Sequence, residues 1–269
     1  MKQRYLVIDV ALCHDCNNCF MACKDEHVGN AWQPYTGEQP RHGHRWMNIL
    51  RTERGQYPRI DVAYLPMPCQ HCQDAPCVKA HPDCITVRKD GIVMIEADKA
   101  KGKKDLAKSC PYGAIYWNEE LKVAQKCTLC AHILDTGSEP GLPRCAHSCP
   151  TGAMEFLTLE PKEMEAKVKK EGLEAYKPEL GTRPNVFYRN LYRFEKAFVA
   201  GGLLKNDECA EGIKVTLKGK DVNATQTTDC FGDFKFDALL PGEYTIVVGG
   251  KELKKVKVKE SVNVGSIEI

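Results

Sequence analysis

The chain has 269 residues, 43% of them hydrophobic, and its 38 basic and 36 acidic side chains leave a net charge of +2. This composition is typical of a globular protein of one or two domains and gives no basis for a nucleic-acid or membrane-surface partner. The mean hydropathy is −0.41, and no apolar run approaches the length that spans a bilayer. The first ten residues hold no secretory signal, so we expect a cytoplasmic protein.

Cysteine is the unusual component of the sequence. The chain has 15 cysteines, and 13 of them precede residue 150. Disulfide scaffolds are usually shorter, secreted chains. Thiols repeated at intervals of three residues, in a chain without a secretory signal, therefore indicate metal ligands.

Three regions differ in composition. Residues 1–157 contain the cysteine runs. Residues 158–204 contain a charged stretch, Pro161 to Lys170, whose spacing and leading proline predict a helix. An aromatic run follows it, and we expect this region either to wrap a partner or to link its neighbours; the run is Phe187, Tyr188, Tyr192, Phe194 and Phe198. Residues 205–269 alternate in polarity over several short segments, which predicts a small antiparallel β-sandwich.

The first cysteine run, Cys13-x2-Cys16-x2-Cys19-x3-Cys23, has the spacing of bacterial [4Fe–4S] ferredoxins without their trailing proline. Three closely spaced thiolates hold one face of the cube, and the fourth must come from elsewhere in the chain. In two-cluster ferredoxins the last cysteine of each run binds the other cluster. The spacing therefore predicts paired runs that exchange their fourth ligands.

Two further runs are plain in the sequence. One is Cys69-x2-Cys72-x4-Cys77, with His81 where a fourth ligand is expected. The other is Cys127-x2-Cys130-x14-Cys145-x3-Cys149, which has a long loop between its second and third cysteines.

A repeat shows that one more run has lost most of its thiols. Cys110-Pro-Tyr-Gly-Ala matches Cys149-Pro-Thr-Gly-Ala, so Cys110 is the last cysteine of a run. Aligning its upstream residues with the first run places Ala100, Lys103 and Leu106 where thiols are expected.

Counting ligands decides how the runs pair. In chain order the third run is the one that ends at Cys110, and the fourth is the one from Cys127 to Cys149. If the first run pairs with the fourth, and the second with the third, every site has either four thiols or none. Pairing the first run with the third leaves Cys23 without a cluster. We therefore predict three [4Fe–4S] clusters, held by Cys13, Cys16, Cys19 and Cys149 (cluster 1), by Cys23, Cys127, Cys130 and Cys145 (cluster 2), and by Cys69, Cys72, Cys77 and Cys110 (cluster 3). A fourth site would use positions 81, 100, 103 and 106, and all four lack a thiol.

Other interpretations of the cysteines stay open. Zinc binds CxxC pairs through four thiolates, and the second run has the least specific spacing. Cys84 is an alternative to Cys110 as the fourth ligand of cluster 3. Otherwise Cys84, Cys209 and Cys230 are expected to be inert buried thiols, with a Cys209–Cys230 disulfide as the alternative.

Histidines and aromatic residues near the cysteines are assigned supporting roles. Because the cysteines complete each site, we expect five histidines to hydrogen-bond cluster sulfur or cap turns: His14, His71, His81, His132 and His147. Five aromatic residues are expected to shield the clusters or a partner interface: Trp46, Tyr64, Tyr112, Tyr116 and Trp117. No general acid, base or nucleophile grouping accompanies them, so we predict no catalytic residue.

The nested runs resemble the iron–sulfur small subunits of the dimethyl-sulfoxide-reductase family of molybdopterin enzymes. Five segments are similar to its transhydroxylase branch, which acts on pyrogallol and related phenols: Asp15-Cys-Asn-Asn-Cys-Phe20, Gly43-His-Arg-Trp-Met-Asn48, Ala100-Lys-Gly-Lys-Lys104, Tyr116-Trp-Asn-Glu-Glu120 and Asn190-Leu-Tyr-Arg-Phe-Glu-Lys196. The tail, from Asp229 to Tyr244, resembles transthyretin-like or Cna-B-like sandwiches. The resemblance implies an α+β fold, with a double ferredoxin-like iron–sulfur domain (1–157) followed by a small all-β sandwich (205–269). It also implies a large partner that carries the molybdenum or tungsten molybdopterin and the phenol site.

The leading hypothesis is thus an electron-transfer subunit with three [4Fe–4S] clusters. Its partner would catalyse hydroxyl transfer, hydroxylation or dehydroxylation of phenolic aromatics. The alternatives are the small subunit of another molybdopterin oxidoreductase, a free-standing polyferredoxin, or a structural zinc-binding adaptor.

Overall fold

The computed structural model describes every residue from Met1 to Ile269 and divides the chain into two compact units. The first unit comprises residues 1–50 and 64–191, and the second comprises residues 51–63 and 192–269. None of the helices combines the length and the apolar composition needed to cross a membrane.

The first unit is built from short elements joined by long loops. Its strands are β1 (Gln3–Asp9), β4 (Ile85–Val87), β5 (Val93–Ile95), β6 (Ile115–Asn118), β7 (Val123–Lys126), β8 (Met154–Leu159) and β9 (Val186–Arg189). Its helices are α1 (Asn18–His27), α2 (Pro76–Ala80), α3 (Ala97–Ala100), α4 (Ala131–Thr136), α5 (Arg144–His147) and α6 (Pro161–Glu171), with 3-10 turns at Lys104–Ser109 and Pro178–Leu180. A hairpin of β2 (Asn48–Gln56) and β3 (Arg59–Met67) has its tip in the second unit.

Strand β1 is the centre of a three-stranded sheet. It runs antiparallel to β8 and parallel to β9. Residues 5–10 are all buried, as expected for a strand that is covered on both faces and therefore does not alternate in polarity. Met164 of helix α6 packs with Tyr5 and Val7 in one apolar cluster, so α6 covers one face of this sheet.

The helix predicted over 161–170 is confirmed at Pro161–Glu171. Glu160 and Glu163 form a reciprocal capping box, in which the backbone N–H of Glu160 donates to Glu163 Oε2 at 2.8 Å. Pro161 occupies the first turn, where no helical partner exists for an N–H. Gly172 ends the helix with a φ of 62°, a left-handed conformation that glycine adopts without strain.

The second unit is a β-sandwich of two four-stranded sheets. After the short helix α7 (Tyr192–Glu195), its strands are β10 (Ala197–Lys205), β11 (Glu208–Cys209), β12 (Lys214–Gly219), β13 (Asn223–Thr227), β14 (Asp233–Leu239), β15 (Gly242–Val248), β16 (Lys251–Val258) and β17 (Val262–Glu268). Strand β10 pairs with β11, β14 and β17, while the other sheet has the order β13-β12-β15-β16. One apolar core contains residues of both sheets, among them Leu203, Leu217 and Ile246.

Alternating polarity predicted the strands here known as β12, β14, β15 and β16, and all four are confirmed. The prediction of an antiparallel sandwich is wrong for one pair, because β10 and β17 run parallel.

Strand β10 also moves the start of the sandwich ahead of residue 205. Its run from Ala197 to Leu204 is apolar without alternation, so a period of two does not reveal it. Gly201 lets the sheet close tightly, since a Cβ there would lie 2.4 Å from Cγ2 of Val264. The aromatic run is divided accordingly: Tyr188 is buried in the first unit and Phe198 in the second.

Candidate metal centres

The first cysteine run lies in the loop that joins β1 to α1 and in the helix itself. Asp15 and Asn17 have φ values of 55° and 60°, and the Asn17 amide donates to the Asp15 carbonyl oxygen at 2.8 Å. Such left-handed residues tighten a loop, and asparagine and aspartate adopt this conformation more readily than most. Cys19 and Cys23 follow within α1.

The structure brings together the four thiols predicted for cluster 1. Burial raises the pKa of Cys13, the backbone N–H of Asp15 opposes this, and the neighbouring Cys149 and Cys16 raise it further. Burial also raises the pKa of Cys19 to about 12, with further increases from Cys13, Cys149 and Cys16. Because Cys149 raises the pKa of Cys13, these two thiols are close in space although they lie more than 130 residues apart in the sequence.

The four thiols predicted for cluster 2 line one small cavity. Burial raises the pKa of Cys127 to about 11 and that of Cys130 to about 12, and raises those of Cys23 and Cys145 well above the usual range. Four buried sulfurs can lose their protons together only where a cationic centre balances their charge.

Two unpartnered side-chain nitrogens, one of them the indole N–H of Trp46, belong to residues lining the same cavity. His27 Nδ1 and Trp46 Nε1 are both buried and have no hydrogen-bond partner. Burial, followed by the neighbouring His132, lowers the pKa of His27 to about 3, so its ring is neutral at pH 7. A buried donor without an acceptor is costly. Four thiols with such a donor beside them fit an iron–sulfur cluster, whose sulfides accept N–H bonds.

The four thiols predicted for cluster 3 also lie together. Burial raises the pKa of Cys72 to about 12, with contributions from Cys69, Cys110 and Cys77, while the Thr182 hydroxyl opposes the rise. Burial and the same neighbours raise the pKa of Cys77 to about 11. Cys110 also accepts a hydrogen bond from the backbone N–H of Ala114 at 3.5 Å.

The second group of thiols lies next to each of the other two. The charge of Cys19, in the first group, raises the pKa of Cys145 in the second group. The charge of Cys69, in the third group, raises the pKa of Cys127 in the second group, and the backbone N–H of Cys69 donates a hydrogen bond to Cys127. The order of adjacency is therefore cluster 1, cluster 2, cluster 3.

The positions of the missing fourth site are filled by other side chains. Ala100 and Leu106 are fully buried. Lys103 pairs with Asp83, and His81 Nε2 lies 3.8 Å from Asp105 Oδ2. Apolar packing and ion pairs occupy the place where thiols would be needed.

Cys84 lies beside these filled positions rather than among the cluster 3 thiols. It is buried, and its Sγ donates to the His81 carbonyl oxygen at 3.8 Å. Its charged neighbours are Lys103, Asp83 and Glu96, whereas Cys110 faces Cys69. The geometry favours Cys110 over Cys84 in the third group.

Cys209 and Cys230 differ from the sequence expectation. Both are exposed rather than buried, because they lie at the short edge strand β11 and in a turn before β14. All 15 cysteines are free thiols, so the alternative disulfide between these two is not formed.

The supporting residues are partly where they were expected. His71 lies between two cluster 3 cysteines in the sequence. Its Nδ1 accepts a hydrogen bond from the backbone N–H of Val93 at 3.1 Å, and its buried Nε2 has no partner. His132 instead lies 2.9 Å from a Glu26 carboxylate oxygen. Sequence reasoning missed His27, although its place four residues after Cys23 puts both on one face of α1. Trp46 and Tyr112 are buried as predicted.

Two protein families match successive parts of the chain. Residues 60–159 match a family described as a 4Fe-4S dicluster domain. Residues 198–269 match the second beta sandwich domain of BOS complex subunit NOMO1-like proteins. An iron–sulfur domain is therefore followed by a β-sandwich domain.

Curated relatives cover most or all of the chain. It is 55% identical over 276 residues to the pyrogallol hydroxytransferase small subunit of Pelobacter acidigallici, with 100% of each chain covered. It is 31% identical to a subunit of the sulfite dehydrogenase of Allochromatium vinosum, covering 70% of this chain and 83% of the relative. It is also 31% identical to a subunit of the tetrathionate reductase of Salmonella typhimurium, covering 74% and 76% respectively.

Full-length similarity and the iron–sulfur domain agree with the thiol groups of the structure. The chain is therefore an iron–sulfur electron-transfer subunit. It belongs to the family of iron–sulfur small subunits of molybdoenzymes related to dimethyl sulfoxide reductase, together with the pyrogallol hydroxytransferase small subunit.

Proposed function

We propose that this chain holds three [4Fe–4S] clusters on the twelve cysteines of clusters 1 to 3 and relays electrons to and from a larger catalytic subunit. The observation that carries the proposal is the cavity lined by Cys23, Cys127, Cys130 and Cys145, with the unpartnered nitrogens of His27 and Trp46 beside it. When bound, each cluster supplies one-electron redox chemistry.

The contribution of the protein is to bury the thiolates and to supply N–H donors to them. The backbone N–H of Leu129 donates to Cys127 Sγ at 3.3 Å, and that of Ala114 donates to Cys110 Sγ. Donors of this kind stabilise the extra negative charge of a reduced cluster and raise its reduction potential. Burial lowers the reduction potential. The potential of each cluster therefore depends on the balance between burial and N–H donors at its own site.

Metal analysis of protein purified without oxygen tests the cluster count. We expect about 12 iron and 12 sulfide per chain, since a [4Fe–4S] cluster holds four of each, and reduced protein should show interacting paramagnetic centres. Cys145→Ser should remove or convert cluster 2 alone, whereas Cys209→Ser, at an exposed thiol, should leave the iron content unchanged. Stoichiometric zinc, or iron for four clusters, would refute the proposal.

The partner we propose is a large subunit that carries molybdopterin and acts on a phenolic ring. The support is the 55% identity to a pyrogallol hydroxytransferase small subunit. Purification of a tagged chain from its native host under anoxia should recover a much larger molybdenum- or tungsten-containing chain. Recovery of the small chain alone would favour a free-standing polyferredoxin, and a partner inactive on phenols would favour another molybdopterin oxidoreductase.

The cluster 1 end is the proposed face for that partner, because its thiols are the most exposed of the three groups. Cys16 is exposed, and Leu12 and Met21 are 43% and 59% exposed. Electron transfer requires close approach, so the exposed cluster 1 thiols suit a partner that exchanges electrons with this chain. Met21→Glu should weaken recovery of the large subunit, while Phe231→Glu, at a 70% exposed site in the second unit, should not.

We also propose that residues 1–157 form two ferredoxin-like halves, one with the first and fourth runs and one with the second and third. The near-identical Cys110 and Cys149 turns support this internal repeat. A wrapping role for residues 158–204 and the cytoplasmic location stay predictions, which cross-linking to the partner and cell fractionation would test.

A further inference from the structure

Lys126 is a buried cation without a carboxylate partner. The last residue of β7, it is 3% exposed, and its Nζ donates to the carbonyl oxygens of Val93 and Cys127. The other buried charged side chains face opposite charges: Arg54 contacts Asp61 at 2.6 Å, and Asp9 lies 4.0 Å from Arg189.

A buried ammonium group without a counter-ion is strongly unfavourable. The two carbonyl oxygens satisfy part of its hydrogen bonding but supply no net negative charge. Its negative partner must therefore come from groups that become anionic in the functional protein.

The ionisable groups near Lys126 are cluster thiols. Burial is the largest influence on Cys77, Cys110 and Cys127 and raises each pKa, while Lys126 lowers it. Cys77 and Cys110 belong to cluster 3, whereas Cys127 belongs to cluster 2. The largest influences on Cys13 and Cys19 of cluster 1 do not include Lys126. Hydrogen bonds agree with this placement: Nζ donates to the carbonyl oxygens of Cys127 and Val93, and the Val93 N–H donates to His71, which lies between Cys69 and Cys72 in the sequence. The side chain thus lies beside two of the three thiol groups.

We propose that Lys126 is the counter-ion shared by clusters 2 and 3, and that its charge raises the reduction potentials of both relative to cluster 1. This inference rests on the proposed three-cluster function. Reduction adds one negative charge to a cluster, and a fixed positive charge in a buried, low-dielectric site stabilises that added charge. Lys126 is a positioning and tuning residue, since it acts on the clusters and not on a substrate.

A potentiometric titration followed by electron paramagnetic resonance tests this on the intact complex. At the wild-type midpoint potential, Lys126→Gln should lower the reduced-to-oxidised ratio of clusters 2 and 3 about tenfold, which is a shift of about 59 mV for a one-electron couple. Cluster 1 should keep its potential and serves as the internal control. Lys122→Gln is the matched variant, because it removes an exposed lysine from the same β6–β7 hairpin and should shift none of the clusters.

Iron content separates the two hypotheses. Wild-type protein without three clusters would refute the proposed function itself. If three clusters are present in Lys126→Gln but their potentials are unchanged, or all three shift equally, the counter-ion role is wrong. If Lys126→Gln loses iron, Lys126→Arg decides: retained clusters with near wild-type potentials support the role of charge, and loss of iron in this variant as well overturns it.

Discussion

The two units of this chain are stabilised in different ways. The sandwich unit has one apolar core of thirteen buried residues drawn from both of its sheets. In the cysteine-rich unit two apolar clusters contain four buried residues each, and its loops converge on three groups of thiols. Hydrophobic burial stabilises the sandwich, and we expect the first unit to depend also on the metal groups that its thiols would bind.

The difference explains the unequal regularity of the two units. Strands in the sandwich run for five to nine residues apart from the short β11, because regular pairing exposes one face of each strand to a shared core. In the first unit most strands and helices are only three to six residues long. Loops that must deliver thiolates to a common centre follow the geometry of the metal and not the period of a helix or strand.

Removing the iron is the strongest way to break this comparison. Anaerobic chelation should unfold much of the first unit, because buried thiols with no metal lose the bonds that join their loops. The sandwich should stay folded. Limited proteolysis with mass spectrometry should then recover a protected fragment that starts near residue 192, and equal protection of both units in the metal-free protein would contradict the idea.

Replacing Arg54 should destabilise the second unit by about 3–5 kcal/mol, because two acids lose a buried partner. Its guanidinium contacts Asp61 at 2.6 Å and Asp237 at 2.7 Å. Arg54→Met is compared with Arg59→Met, whose more exposed pair with Asp233 should contribute about 0–1 kcal/mol. Urea unfolding of the second unit measures the free energy of unfolding of both variants. Similar losses of this free energy would show that burial is not decisive.

The same network predicts a pH effect. Burial raises the pKa of Asp61, but bonds from Lys235 and Arg54 outweigh it and lower the pKa from 3.8 to about 2. A lowered native-state pKa stabilises the fold above the unfolded value and loses that effect as the pH falls through the native value. The stability difference between wild type and Asp61→Asn should therefore shrink between pH 4 and pH 2, and a constant difference would contradict this assignment.

Truncating the sandwich core tests the role of apolar burial. Leu217→Ala, at a fully buried site, should cost about 2–5 kcal/mol through lost contacts and a cavity. Leu240→Ala removes the same atoms from a 63% exposed position and should change stability by less than about 0.5 kcal/mol. Thermal unfolding of the two variants gives the difference directly, and equal values would show that the core is not close-packed.

The smallest effect concerns the two exposed thiols. Cys209→Ser and Cys230→Ser should leave the iron content and the stability unchanged, since neither thiol lies in a metal group or in the core. Iron loss in either variant would mean that the twelve-ligand assignment omits a true ligand.

Sequence spacing predicted the metal-binding chemistry better than the fold. The cysteine runs, the repeat around Cys110 and the empty positions at Ala100 and Leu106 could be recognised because short ligand spacings are local. Strand β10 could not, since a continuous apolar run is compatible with more than one buried structure. The parallel pairing of β10 with β17 joins residues more than 50 positions apart, and no local pattern encodes it.

The amino-acid sequence by itself determined the iron–sulfur character of the chain, together with the helix and four strands that have clear periodicity. The tertiary structure decided which distant thiols meet, in what order the three groups stand, and which other groups surround them. His27, Trp46 and Lys126 are ordinary residues in the sequence and acquire a role only because folding buries them beside the thiols. Burial removes water as a partner for charges and N–H groups, so their interactions depend on neighbours that the chain assembles only when it is folded.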